Sequence, residues 1–134
     1  MIGIVVVGHG RVPEELLAAA RTIVGDLPAA VAVSVSWTDD GSEARAAVER
    51  AIAEVGAGGG PVLVLTDVFG GTPTNVSLPF LSERVEIVTG VNLPMLIKLS
   101  AERERPLQEV AKLVRDRGRE AIYVAGEALH PEQA

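Results

Sequence analysis

The chain has 134 residues, 48% of them hydrophobic but only 3% aromatic. That length suits one domain with an aliphatic core, burying roughly two thirds of its unfolded surface. A formal net charge of −6 offers no evident basic surface for gripping nucleic acid by its phosphates, and the lack of cysteine excludes disulfides, thiolate metal sites and thiol catalysis. The N-terminal apolar run is too short to cross a membrane and lacks the basic start of a secretory signal, which makes a soluble cytoplasmic protein the expectation.

Residues 4–7 form an unbroken β-branched run, the mark of a strand covered on both faces, and Ile2 and Gly3 begin the same strand. Residues 13–25 read as a helix with Leu16, Leu17, Ala20, Ile23 and Val24 on its apolar face and Gly25 as its stop. Residues 31–35 are a second strand, followed by a turn over residues 37–41 in which Trp37 reads first as partly buried packing and, as the alternative, as an exposed anchor for a partner. Residues 42–55 give the clearest helix, with Ser42 as its cap. Residues 61–65 are the third strand. Thr72-Pro73 reads as a cap followed by proline in the first helical turn, and Pro79 keeps that helix short or kinked. Residues 85–88 are the fourth strand. Asn92 and Pro94 open a helix with Met95, Leu96 and Leu99 on its apolar side. The charged stretch 102–105 reads as a solvated turn, residues 106–117 as a helix stopped by Gly118, residues 121–124 as a last strand, and the tail from residue 127 as loose.

Strands alternating with helices imply an α/β fold with a doubly wound, mainly parallel sheet and helices on both faces. The common strand order for this size begins 2-1-3-4, with ligands held beyond the carboxyl ends of the first and third strands. Those are the places of Gly8-His9-Gly10 and Thr66-Asp67-Val68-Phe69-Gly70-Gly71-Thr72-Pro73, and Gly90-Val91-Asn92 follows the neighbouring fourth strand. An imidazole and a carboxylate meeting on that rim form a known catalytic pairing. One ring nitrogen attacks while the other gives its proton to the carboxylate, which fixes the tautomer and stabilises the positive ring that results. His9 is the candidate nucleophile and Asp67 its orienter. Gly10, Gly70, Gly71, Thr72 and Thr66 are candidates to hold phosphate oxygens through backbone N–H groups or hydroxyls. Each residue taken singly is as readily a loop, cap or turn residue; their shared placement carries the functional reading.

Over nearly its whole length, to about Val124, the chain resembles the IIA domain of the mannose family of the bacterial phosphoenolpyruvate-dependent sugar phosphotransferase system. The resemblance rests on Ile4-Val5-Val6-Val7-Gly8-His9-Gly10, on Thr66-Asp67-Val68-Phe69-Gly70-Gly71-Thr72-Pro73-Thr74-Asn75 and on Thr89-Gly90-Val91-Asn92-Leu93-Pro94-Met95-Leu96. It implies a single domain over residues 1–134 and a phosphocarrier in which His9 takes a phosphoryl group from HPr and passes it to a IIB component. Asp67 then binds the ring, and neither metal nor cofactor is needed. It also implies a homodimer in which residues 121–124 form an antiparallel strand exchanged between subunits, and contact with the membrane only through a transporter complex. No IIB segment follows, so the acceptor is expected to be a separate polypeptide.

Other readings compete. The same phosphohistidine could serve a regulatory module outside sugar uptake. The phosphotransfer subunit of a dihydroxyacetone kinase has a related fold, but the second and third motifs favour the mannose type. A dinucleotide site fails where Pro13 stands in place of the last fingerprint glycine. A receiver domain would need acidic residues where His9 stands.

Overall fold

A computed structural model describes residues 1–38, 40–130 and 132. The sheet has four parallel strands in the order β2-β1-β3-β4: β1 (Gly3–His9), β2 (Ala30–Val35), β3 (Val62–Thr66) and β4 (Val85–Thr89). The helices are α1 (Val12–Val24), α2 (Ser42–Val55), α3 (Thr72–Ser77), α4 (Leu93–Glu102), α5 (Leu107–Glu120) and α6 (Ala125–Leu129). No helix among the described residues is long and apolar enough to cross a membrane.

Alternation along the central strands explains the two layers. Ile4 and Val6 of β1 and Leu63 and Leu65 of β3 point to one face, where Leu17 of α1, Leu96 and Leu99 of α4, and Val110 and Val114 of α5 cover them. Val5, Val7, Val62 and Val64 point to the other face, onto Val48, Ile52 and Val55 of α2 and Val76 of α3. All four of the β1 residues 4–7 are fully buried, as the unbroken run predicts. Truncating one such large side chain typically costs about 2–5 kcal/mol.

Glycines let these layers close. A Cβ on Gly3 would lie 2.5 Å from the carbonyl oxygen of Val55, a backbone atom that cannot step aside. Gly3→Ala is therefore expected to lower stability by about 1–3 kcal/mol, read as a lower urea midpoint with an unchanged slope.

Several local expectations are corrected. Gly118 does not stop the last long helix: α5 continues to Glu120, and Gly118 sits inside it because a Cβ there would come within 2.7 Å of the buried Met95 side chain. Ser42 is the first residue of α2, not its cap. Asp40 takes the local bonds instead, its Oδ1 accepting from Ser42 N–H and Oγ–H at 3.0 and 2.8 Å. Those bonds hold the Asp40 carboxyl below its ordinary range. Thr72 likewise lies inside its helix, with Gly71 at the cap position, while Pro79 does end α3 in a single 3-10 turn (Leu78–Phe80). Ile23, assigned to the apolar face of α1, is exposed. Arg103, in the supposed solvated turn, is buried and donates to the carbonyls of Ile2 at 2.9 Å and Ala29 at 3.1 Å. Its desolvation lowers the guanidinium pKa from its usual value. Asn92 caps α4 as expected, accepting from Met95 N–H at 3.1 Å.

The largest difference is at the carboxyl end. Among the described residues, residues 121–124 join no strand; Ile122, Tyr123 and Val124 stand exposed, and the backbone turns into α6. A single extended segment has no ladder to join unless it meets a sheet edge. β4 is such an edge, flanked by a groove of about 520 Å³ lined in part by Val88, Lys112, Arg115 and Ile122. The tail expected to be loose is helical through Leu129, while Pro131, Gln133 and Ala134 lie outside the described residues, as does Asp39 of the turn after β2.

Candidate functional site

β1 and β3 are paired in parallel with Val7 opposite Thr66, so Asp67 leaves β3 beside Gly8 and His9, which remain paired to β2 at the end of β1. A Cβ on Gly8 would lie 3.1 Å from Asp67 Oδ2 and 3.1 Å from Pro13 Cδ. The missing side chain is what lets the carboxylate reach across to the following residue. Asp67 Oδ2 accepts two hydrogen bonds there, from the backbone N–H of His9 at 2.8 Å and from His9 Nδ1–H at 2.9 Å. One oxygen thus fixes both the backbone and the ring of the same residue.

The consequences for His9 are chemical. A carboxylate can only accept, so Nδ1 carries the proton and the neutral ring keeps its lone pair on Nε2. Nε2 has no hydrogen-bond partner among the described residues, and the side chain is 21% exposed. The nucleophilic nitrogen is therefore open while the other is held. Asp67 Oδ1 is buried without a partner among the described residues. A carboxylate so incompletely compensated gains when the ring beside it becomes cationic.

The loop after β3 closes round the ring. Gly71 approaches so near that a Cβ on it would be 3.1 Å from His9 Cε1. Gly70 takes φ +94, a left-handed turn that suits glycine, and Gly10 on the opposite loop takes φ +55. Thr74 braces this loop from below: its hydroxyl donates to the carbonyl of Val68 at 2.6 Å, which leaves Thr66 to donate to Thr74 Oγ1 at 2.7 Å. The structure therefore brings His9, Asp67, Gly10 and Gly71 together, with Gly70 and Thr72 as the chain neighbours of Gly71. It sets Thr66 apart: its hydroxyl is wholly buried and already engaged. The third loop also arrives at the rim, through Val91 N–H to the carbonyl of Thr66 at 2.9 Å. Its Asn92 is committed to capping and to the carbonyl of Gly118 at 3.2 Å.

At Trp37 the favoured reading, packing, is overturned and the alternative of an exposed ring holds. Trp37 is 80% exposed, and its indole is stacked on the His9 ring with centroids 4.7 Å apart and planes 18° from parallel. The signal was available: a lone tryptophan in a turn at the end of the strand next to β1, among Ser, Thr and Asp, is poorly placed for an aliphatic core. Arg11, by contrast, is occupied with Glu14 and Glu15 of its own helix.

Fold and site together define an α/β protein of the doubly wound class with a carboxylate-held histidine beyond its strand ends. A family model described as the PTS system fructose IIA component (EIIA-man) matches residues 3–114. The chain belongs to this family, the mannose-type IIA components of the sugar phosphotransferase system. It is 28% identical over 132 residues to the PTS system fructose-specific EIIA component of Bacillus subtilis (strain 168), covering 96% of this chain and 90% of that protein. It is 32% identical over 130 residues to the PTS system mannose-specific EIIAB component of Escherichia coli (strain K12), covering 90% of this chain but 38% of that longer protein. Among solved structures, the mannose/sorbose specific IIA subunit of the phosphotransferase system from Enterococcus faecalis superposes with a TM-score of 0.84 at 33% identity, covering 92% of this chain and 93% of that one.

Proposed function

We propose that His9 is the phosphoryl-accepting residue of this IIA component, taking the group from HPr on Nε2 and passing it to a IIB component, with residues 1–134 acting as one cytoplasmic domain. In the accepting step the Nε2–P bond forms as the P–N bond of the donor phosphohistidine breaks, and the electron pair returns to the donor ring. His9 keeps its Nδ1 proton on Asp67 throughout, so no base, metal or cofactor is called on. Gly70, Gly71 and Thr72 line the approach to Nε2 and supply backbone N–H groups for the phosphoryl oxygens, whereas the Gly10 N–H is already given to the carbonyl of Val35 and donates nothing to them.

The observation that carries this reading is the double hold of Asp67 Oδ2 on His9, at 2.8 and 2.9 Å, with Nε2 left open. The test is incubation with phosphoenolpyruvate, enzyme I and HPr, followed by addition of a IIB protein. Label is expected on this chain, acid-labile and base-stable, and is expected to move on to IIB. Label that is acid-stable, or none at all, overturns the proposal. The relatives are sugar-system components, and a purely regulatory role draws no support from them.

The same family reading includes a homodimer in which residues 121–124 of one subunit add antiparallel to β4 of the other. The free edge of β4, the groove beside it and the exposed Ile122, Tyr123 and Val124 support it, since an unpaired apolar segment and an unpaired edge each lack what the other offers. Light scattering at micromolar concentration is expected to give a dimer; a monomer would remove the exchange and leave the chemistry at His9 untouched.

A further inference from the structure

The described site accounts for the two edges of the imidazole, one nitrogen held and one open, but not for its face. That face is covered by Trp37. The turn that presents the indole is braced by its own hydroxyls: Ser36 Oγ and Thr38 Oγ1 are 3.0 Å apart, and Thr38 N–H donates to Ser36 Oγ at 3.1 Å. The turn is also tied to the His9 loop, since Gly10 N–H donates to the carbonyl of Val35 at 3.1 Å. The indole also rests beside Gly10, its nitrogen 3.8 Å from where a Cβ there would be, an ordinary contact distance. At 80% exposure Trp37 contributes little to the core. A large apolar ring kept in water and laid flat on the reactive group asks for a reason other than burial.

We propose that Trp37 is a positioning residue for phosphoryl transfer, fixing the plane of the His9 ring and stabilising the positively charged ring that exists while Nε2 carries the phosphoryl group. The proposal rests on the reading of His9 as the acceptor. In that state Nδ1 keeps its proton and Nε2 is bonded to phosphorus, so the ring is cationic, and the indole face meets it as in a cation–π pair. Before transfer the ring is neutral and the same contact is worth less. The contact therefore favours the charged enzyme over the uncharged one and shifts the equilibrium with the phosphohistidine donor toward this chain. Asp67 acts on the same cation from the edge; Trp37 acts from the face.

The single tryptophan of the chain makes the contact directly observable. Emission is recorded as wild-type protein is charged using catalytic amounts of enzyme I and HPr, with His9→Gln as the control that cannot be charged. A change is expected in the wild type and none in the control. The equilibrium between phosphorylated HPr and this chain is then measured for wild type, Trp37→Phe and Trp37→Leu. The leucine variant is expected to retain about three- to tenfold less phosphoryl group relative to HPr, and phenylalanine, which keeps a π face, to recover most of the loss. An equilibrium in Trp37→Leu within about twofold of wild type, the smallest change a cation–π contact predicts, overturns the role whatever the emission does. So does a raised KM for HPr at unchanged equilibrium, which would make Trp37 a docking contact. A wild-type protein that takes no label at His9 overturns the underlying reading instead, and the two failures are told apart by that first measurement.

Discussion

His9→Ala is expected to abolish phosphoryl transfer from HPr completely. Among the described residues no other on the rim offers an open, nucleophilic nitrogen: Asn92 is committed to its cap, and Arg11 is a cation paired with Glu14 and Glu15. The fold should survive, because the His9 side chain lies at a strand end and its backbone N–H can still reach Asp67 Oδ2. The cost of the lost side-chain bond is about 1–3 kcal/mol. Far-UV circular dichroism checks the fold, and acid-labile label from radioactive phosphoenolpyruvate checks the chemistry. A folded His9→Ala protein that labels as fast as the wild type would place the acceptor elsewhere.

The second large effect concerns Asp67. Asparagine preserves the shape and one accepting oxygen, so His9 can keep its position, but the negative charge opposite the cationic ring is gone. Hydrogen bonds to a charged group contribute about 1.5–3 kcal/mol, and each 1.4 kcal/mol in a barrier is a factor of ten. Asp67→Asn is therefore expected to slow transfer by about ten- to a hundredfold, measured as single-turnover label acquisition from phosphorylated HPr. The KM for HPr should change little, since Asp67 is recessed behind the ring. An unchanged rate would show that the carboxylate orients nothing the reaction needs.

The layers and the site were legible for the same reason. Residues 4–7 and 62–65 are apolar without interruption, which only a strand buried on both sides tolerates, and each runs into a glycine-containing turn that carries a reactive polar side chain, His9 or Asp67. Parallel pairing of those strands then brings His9 and Asp67 together. What the sequence concealed was tertiary. Gly118 has the look of a helix stop, yet its role is to admit the Met95 side chain across a helix pair, a contact with no local trace. Arg103 looks solvated in a run of charges, yet it satisfies the carbonyls of Ile2 and Ala29, 101 and 74 residues away in the chain. The segment 121–124 has strand composition, but a strand needs a neighbour and the described residues of one chain provide none. Trp37 was misread because its partner is not a core but the ring of His9, reached from the end of an adjacent strand.

The placement of the few aromatic side chains has a practical consequence. Tryptophan and tyrosine occur once each, at the reactive rim and on the free carboxyl-terminal segment, and both side chains are largely in water. The interior between the helices and the sheet holds neither, so it is almost silent in the near ultraviolet. Optical signals above 270 nm from this protein will therefore follow the surroundings of these two exposed rings, which under the proposals above means the phosphoryl state for tryptophan and the meeting of subunits for tyrosine, while the aliphatic interior itself is followed through the backbone.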